Sequence, residues 1–88
     1  MSSRVLLNIG YGNFVMASRV ITIVSPAAAP MKKLRDLAAQ ANKLVDATHG
    51  RRTRSIIVTD SDHVILSALT PETIAARLRE DDALGGHE

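Results

Sequence analysis

The chain has no cysteine and no tryptophan, and it has one tyrosine and one phenylalanine in 88 residues. Without cysteine there is no disulfide to staple a small fold and no thiolate to hold a soft metal. With only Tyr11 and Phe14 as rings, the chain lacks the stacking platform that single-strand and RNA binders use. No apolar run is long enough to span a membrane, and MSSRVLLNIGYGNF has no secretory apolar segment followed by a small-residue cleavage site. The expectation is a cytoplasmic protein. A dinucleotide loop is missing too: Gly10 and Gly12 follow a strand-like run, but Val15 stands where the third glycine belongs and strand-like sequence follows.

What remains is aliphatic. Hydrophobic residues make up 45% of the chain and aromatics 2%, so the core is built from Ile, Val, Leu, Ala and Met. Eighty-eight residues make one domain. A chain that short buries about 60–65% of its unfolded surface, which leaves a monomer marginally stable. So much aliphatic surface implies cover from another subunit.

Val5–Ile9 reads as a strand, Gly10-Tyr11-Gly12-Asn13 as a turn, and Phe14–Met16 as a second apolar run. Ala17-Ser18-Arg19 interrupts before VITIV, Val20–Val24, a β-branched strand. A helix starts near Pro30 and runs to about Lys43, with Met31, Leu34, Leu37, Ala38 and Ala41 on one face. Leu44–Ala47 is strand-like. Thr53–Thr59 and His63–Ala68 form a hairpin around Asp60-Ser61-Asp62. Its runs IIV and VIL are continuous, so both faces need cover, one from a helix and the other from the second helix or a neighbouring subunit. Thr70 caps the second helix, Pro71 opens it, and Ile74, Ala75 and Leu78 form its stripe. Residues 80–88, acidic and containing Gly85-Gly86, read as a disordered tail.

Charge is unevenly placed. The net charge is +2, yet residues 1–59 hold nine Lys/Arg against two acids, and residues 60–88 hold two against seven. Such asymmetry marks a basic working surface. Its densest point is HGRRTRSI, where Arg51, Arg52 and Arg54 follow Gly50. Guanidinium groups bind phosphate bidentately and keep their charge at all relevant pH. Duplex DNA presents about one charge per 1.7 Å, so several arginines at one rim can each displace counterions. The bland alternatives are a solvated or ion-paired loop, or a basic loop that docks an acidic protein as a scaffold. Asp60, Asp62 and His63 could ligate a cation, but Asp and Ser there suit a hairpin turn, and the turn is the favoured reading. His49 and His87 have no partners at ligand spacing, and no arrangement demands an enzyme, a cofactor or a metal.

The segments NIGYGNFV, ASRVITIVSP, LVDATHGRRTRSIIVTDSDHVILSA and TPETIAARL, covering about residues 5–79, resemble the RemA family of small bacterial DNA-binding regulators of extracellular-matrix (biofilm) genes. The resemblance implies an α+β fold similar to LytTR domains and ring-like homo-oligomers whose basic surface repeats so that double-stranded DNA can wrap on it. It places DNA contacts at Arg19, Arg51 and Arg52, with Arg54 in the same motif. Arg52 and Arg54 would point one way and Arg51 the other if a strand already ran through the loop. Ala27-Ala28-Ala29-Pro30 lacks the acid common before the helix, and His49 stands where Tyr is usual. The expectation is one domain over 1–79 with two helices on a small, mainly antiparallel sheet. The resemblance further implies a nucleoid-associated regulator whose expected partners are duplex DNA and itself, with no membrane or small-molecule ligand.

Overall fold

The computed structural model describes residues 5–28 and 30–85. The chain runs β1 (Leu6–Gly10), β2 (Asn13–Met16), β3 (Val20–Val24), α1 (Met31–Gln40), β4 (Leu44–Asp46), β5 (Ser55–Thr59), β6 (Val64–Ser67) and α2 (Pro71–Gly85). This is an α+β fold with two helices. The strands form two sheets rather than one: the hairpin β1–β2, and a four-stranded sheet in the order β3-β5-β6-β4. Pairing is antiparallel except for β4, which lies parallel to β6.

The β5–β6 hairpin is the centre of the core, and its two faces are covered by different elements. Ile56, Val64 and Leu66 pack with Ala38 and with Met31 and Leu34 of α1. Ile57 and Ile65 pack with Leu7 and Ile9 of β1 and Ile74 of α2. Strand alternation sends successive residues to opposite faces, which is why one hairpin feeds two clusters. Of the two covers expected for the second face, the second helix or a neighbouring subunit, the fold supplies the helix, and β1 joins it there. Two serines bind this layer together. Ser67 Oγ donates to the Ile9 carbonyl at 2.8 Å, and Ser55 Oγ donates to the Leu69 carbonyl at 2.7 Å; both side chains are fully buried.

Three boundaries differ from the sequence reading by more than one residue. Helix α1 stops at Gln40, not near Lys43. Asn42 takes a left-handed φ of 60°, its N–H bonds the Ala39 carbonyl at 3.1 Å, and the Lys43 N–H bonds the Ala38 carbonyl at 2.8 Å. That is a Schellman stop, which turns the chain into β4. The predicted apolar stripe of α1 is also only partly used: Ala38 is buried while Leu37 is 54% exposed. Strand β5 starts at Ser55 rather than Thr53, so no strand runs through the arginines. Helix α2 opens as expected, with the Thr73 N–H bonded to Thr70 Oγ1 at 3.2 Å. It continues to Gly85, into the stretch read as a disordered tail. Alanine, leucine and acidic residues sustain a helix through this stretch. Residues 86–88 lie outside the described residues.

Candidate functional site

The connection from β4 to β5 carries the arginines, and it is anchored at both ends. At its start, Asp46 Oδ1 accepts from the Thr48 hydroxyl at 2.6 Å and the Thr48 amide at 3.0 Å. The hydroxyl bond, then the amide bond, hold the Asp46 carboxyl below its ordinary pKa; Arg35 adds a smaller push the same way, and burial opposes it. Next, the Arg51 N–H closes a turn on the Thr48 carbonyl at 2.9 Å. The central residues, His49 (φ 55°) and Gly50 (φ 77°), are both left-handed, the sign pattern of a type I′ turn. At the far end the Arg54 N–H bonds the Ser67 carbonyl at 2.8 Å. The arginines thus stand on a pinned backbone.

Arg51, Arg52 and Arg54 are all exposed. Arg52 and Arg54 line one cleft with Ser25 and Pro26 at the end of β3 and with Thr70, Pro71 and Glu72 at the start of α2. Arg51 goes to the β1–β2 turn, where its Cζ lies 5.9 Å from the centre of the Tyr11 ring. Among the described residues, none of the three makes an ion pair.

Arg19 is elsewhere. It ends the short 3-10 turn before β3 and pairs through Nε with Asp60 Oδ1 at 2.7 Å. The Asp60 N–H bonds the Arg19 carbonyl at 2.9 Å. Asp60 follows the last residue of β5 and Arg54 precedes the first, so at 3.4 Å per residue the two ends stand about 20 Å apart. Within one chain the fold groups Arg51, Arg52 and Arg54 and leaves Arg19 at the opposite end of the strand.

The remaining candidates are accounted for locally. Ser61 Oγ and His63 Nδ1 lie 2.7 Å apart, and Thr59 Oγ1 accepts from the His63 N–H at 3.2 Å, so His63 serves the hairpin turn. No group of three His, Asp or Glu side chains suited to a metal ion occurs among the described residues. No helix among them is long and apolar enough to cross a membrane. The residue that the sequence reading missed is Tyr11, whose ring stacks on His49 with centroids 5.1 Å apart and planes 13° from parallel. The available signal is a repeated dipeptide, an aromatic or His before glycine, at Tyr11-Gly12 and His49-Gly50.

The chain is similar to three bacterial proteins, each named only as a regulatory protein. That of Syntrophobacter fumaroxidans is 73% identical over 73 residues, 83% of this chain and 78% of its own length. That of Nitratidesulfovibrio vulgaris is 58% identical over 82 residues, 93% of each chain. That of Geobacillus thermodenitrificans is 63% identical over 76 residues, 86% of this chain and 87% of its own. The family model described as RemA-like, extracellular matrix regulatory protein A-like, matches residues 6–78, from the first residue of β1 into α2. That span takes in the arginine loop, the Arg19 turn and both core clusters, and the chain belongs to the RemA-like family.

Proposed function

We propose that this regulatory protein binds duplex DNA through the phosphates, with Arg51, Arg52 and Arg54 as the principal contacts and Arg19 as a second point of contact. The observation that carries the reading is the unpaired state of the loop cations. Three exposed arginines stand on a backbone fixed by four hydrogen bonds, with no ion pair among the described residues to neutralise them. An ion-paired loop, one of the bland alternatives, would have carboxylates within ion-pair distance of them, and among the described residues Glu72 shares the cleft without pairing. A flexible solvated loop would lack the pinning.

One protomer offers few phosphate contacts, so affinity comes from repetition. Copies of the chain in a ring-like, LytTR-like homo-oligomer present the arginine rim many times along one DNA molecule, and linked contacts multiply effective concentration. Repetition also offers a way to bring Arg19 of one copy towards the loop of the next, which a single copy does not do. Exposed Leu6, Phe14, Ile21 and Val45 supply apolar surface for such contacts. Phe14 and Val45 line one cleft together with Arg19. Selectivity would rest largely on DNA shape and bendability, since phosphate contacts carry no base information. The family description supports genes of the extracellular matrix as the targets. Gel shifts with random and AT-rich duplexes at two salt concentrations test the reading; absence of any shift at low salt favours docking of an acidic protein instead.

A further inference from the structure

Two turns from distant parts of the chain have the same construction and meet through their side chains. In the β1–β2 turn, Gly10 pairs with Asn13 across Tyr11 (φ 54°) and Gly12 (φ 78°). In the loop turn, the Thr48 carbonyl accepts from the Arg51 N–H across His49 (φ 55°) and Gly50 (φ 77°). Glycine suits the second central position of each. The first central position of a type I′ turn is normally Asn, Asp or Gly, because few other side chains tolerate a left-handed backbone. Here it is filled by a histidine, which shares some of that tolerance, and by a tyrosine, which does not; strain such as that at Tyr11 concentrates at ligand clamps. The rings are not there to fill the core: Tyr11 is 49% exposed, His49 is exposed, and neither belongs to a buried cluster. What the two turns accomplish is a near-parallel stack at 5.1 Å with the Arg51 guanidinium 5.9 Å from the centre of the Tyr11 ring.

We infer that the Tyr11–His49 stack is an aromatic clasp that positions Arg51 for phosphate contact, making Tyr11 a determinant of DNA affinity although it lies on a different hairpin from the arginines. The chemistry suits the role. A guanidinium resting near a ring face is held by the quadrupole of the ring and keeps its N–H donors for a phosphate. Restraining a long, rotamer-rich side chain before binding lowers the ordering cost of binding. The inference rests on the DNA-binding reading, and the experiment separates the two.

The decisive variant is Tyr11→Asn, which installs the residue the turn prefers. A residue kept for the fold would be missed; here the melting temperature is expected to hold or rise. Duplex DNA affinity is expected to fall about tenfold at fixed salt, with a shallower dependence of log K on log salt, as when one phosphate is no longer neutralised. Tyr11→Phe keeps the ring and is expected to bind like the parent. In an Arg51→Ala background, Tyr11→Asn is expected to have no further effect, since two residues acting as one unit are not additive. Full additivity, or an unchanged affinity and slope in Tyr11→Asn while the parent binds, overturns the clasp and leaves the DNA reading intact. Should the parent fail to bind duplex DNA at low salt, the DNA reading falls, and the clasp is decided by NMR. A shift of the Arg51 Hε and His49 ring-proton resonances in Tyr11→Asn upholds the positioning; unmoved Arg51 resonances overturn it.

Discussion

Arg19 and Asp60 are joined twice, by a 2.7 Å contact from Nε to Oδ1 and by a 2.9 Å hydrogen bond from the Asp60 amide to the Arg19 carbonyl. The pair closes the end of β3 and β5 opposite to the arginine loop. It is half exposed, at 56% and 43%, and pairs of that kind contribute at most about 1 kcal/mol. The acid beside Arg19 therefore matters more for charge than for stability.

Replacing Asp60 with Asn removes one negative charge from that corner. The expected result is a melting temperature changed by no more than a few degrees and DNA binding strengthened about two- to threefold at low salt, the gain fading as salt screens it. Fluorescence anisotropy with a labelled duplex measures this. A weaker complex would mean that Asp60 orients Arg19 more than it neutralises it.

Glu72 offers the same test at the other end. It lines the cleft of Arg52 and Arg54 and sits in the first turn of α2. A carboxylate there repels an incoming phosphate. Glu72→Gln is expected to tighten DNA binding about two- to threefold, with a small loss of helix stability of roughly 0.5 kcal/mol from the weakened interaction with the helix dipole. Titration of both proteins with one duplex at matched salt checks it, and unchanged affinity would place the phosphate outside this cleft.

The Asp46–Thr48 anchor gives a pH signature. The carboxyl of Asp46 titrates below its ordinary value because the hydroxyl and amide of Thr48 bond its charged form. Folding thus favours the ionised group. The stability this contributes is present above the unfolded carboxylate pKa and is lost as pH falls through the lower folded value. Thr48→Val is expected to cost about 1 kcal/mol at neutral pH, and the difference from the parent is expected to narrow below about pH 4. Thermal melts of both proteins from neutral pH down to about pH 2.5 read it directly.

Ser67→Ala tests how the first hairpin is held to the sheet. The hydroxyl of Ser67 donates to the Ile9 carbonyl and accepts from the Leu69 N–H, with the serine fully buried. Removing it leaves both backbone groups short of a partner, at a cost of about 1–3 kcal/mol. Hydrogen exchange is expected to speed up in β1 and β2 more than in β5. Uniform acceleration would mean that the two sheets open as one unit.

Local structure is legible where residue type alone decides it. VITIV is β-branched and forms β3, and Thr70-Pro71 caps and opens α2 with the hydrogen bond that a cap requires. The continuous runs IIV and VIL imply a hairpin covered on both faces, and the fold covers both. That β1 joins α2 over the second face is not legible, because Ile9 and Ser67 meet only after the intervening chain has folded. The end of α1 escapes the pattern because apolar spacing continues to Ala41, while Asn42 stops the helix by adopting a left-handed backbone. The arginine cluster is legible as charge. That Arg51 parts from Arg52 and Arg54 towards Tyr11, and that Arg19 stands at the far end of β5, are consequences of topology that no local pattern encodes.

The central claim is that the loop arginines read phosphate, and the salt dependence of duplex DNA binding by the parent, Arg51→Ala and Arg52→Ala tests it most directly. The account predicts binding by the parent that weakens steeply with salt. Both variants should stay folded, bind far more weakly, and show a slope of log K against log salt that is shallower by about 0.9 for each phosphate no longer neutralised. A folded Arg51→Ala and Arg52→Ala that bind with the slope of the parent, or a parent that binds no duplex at low salt, would contradict it.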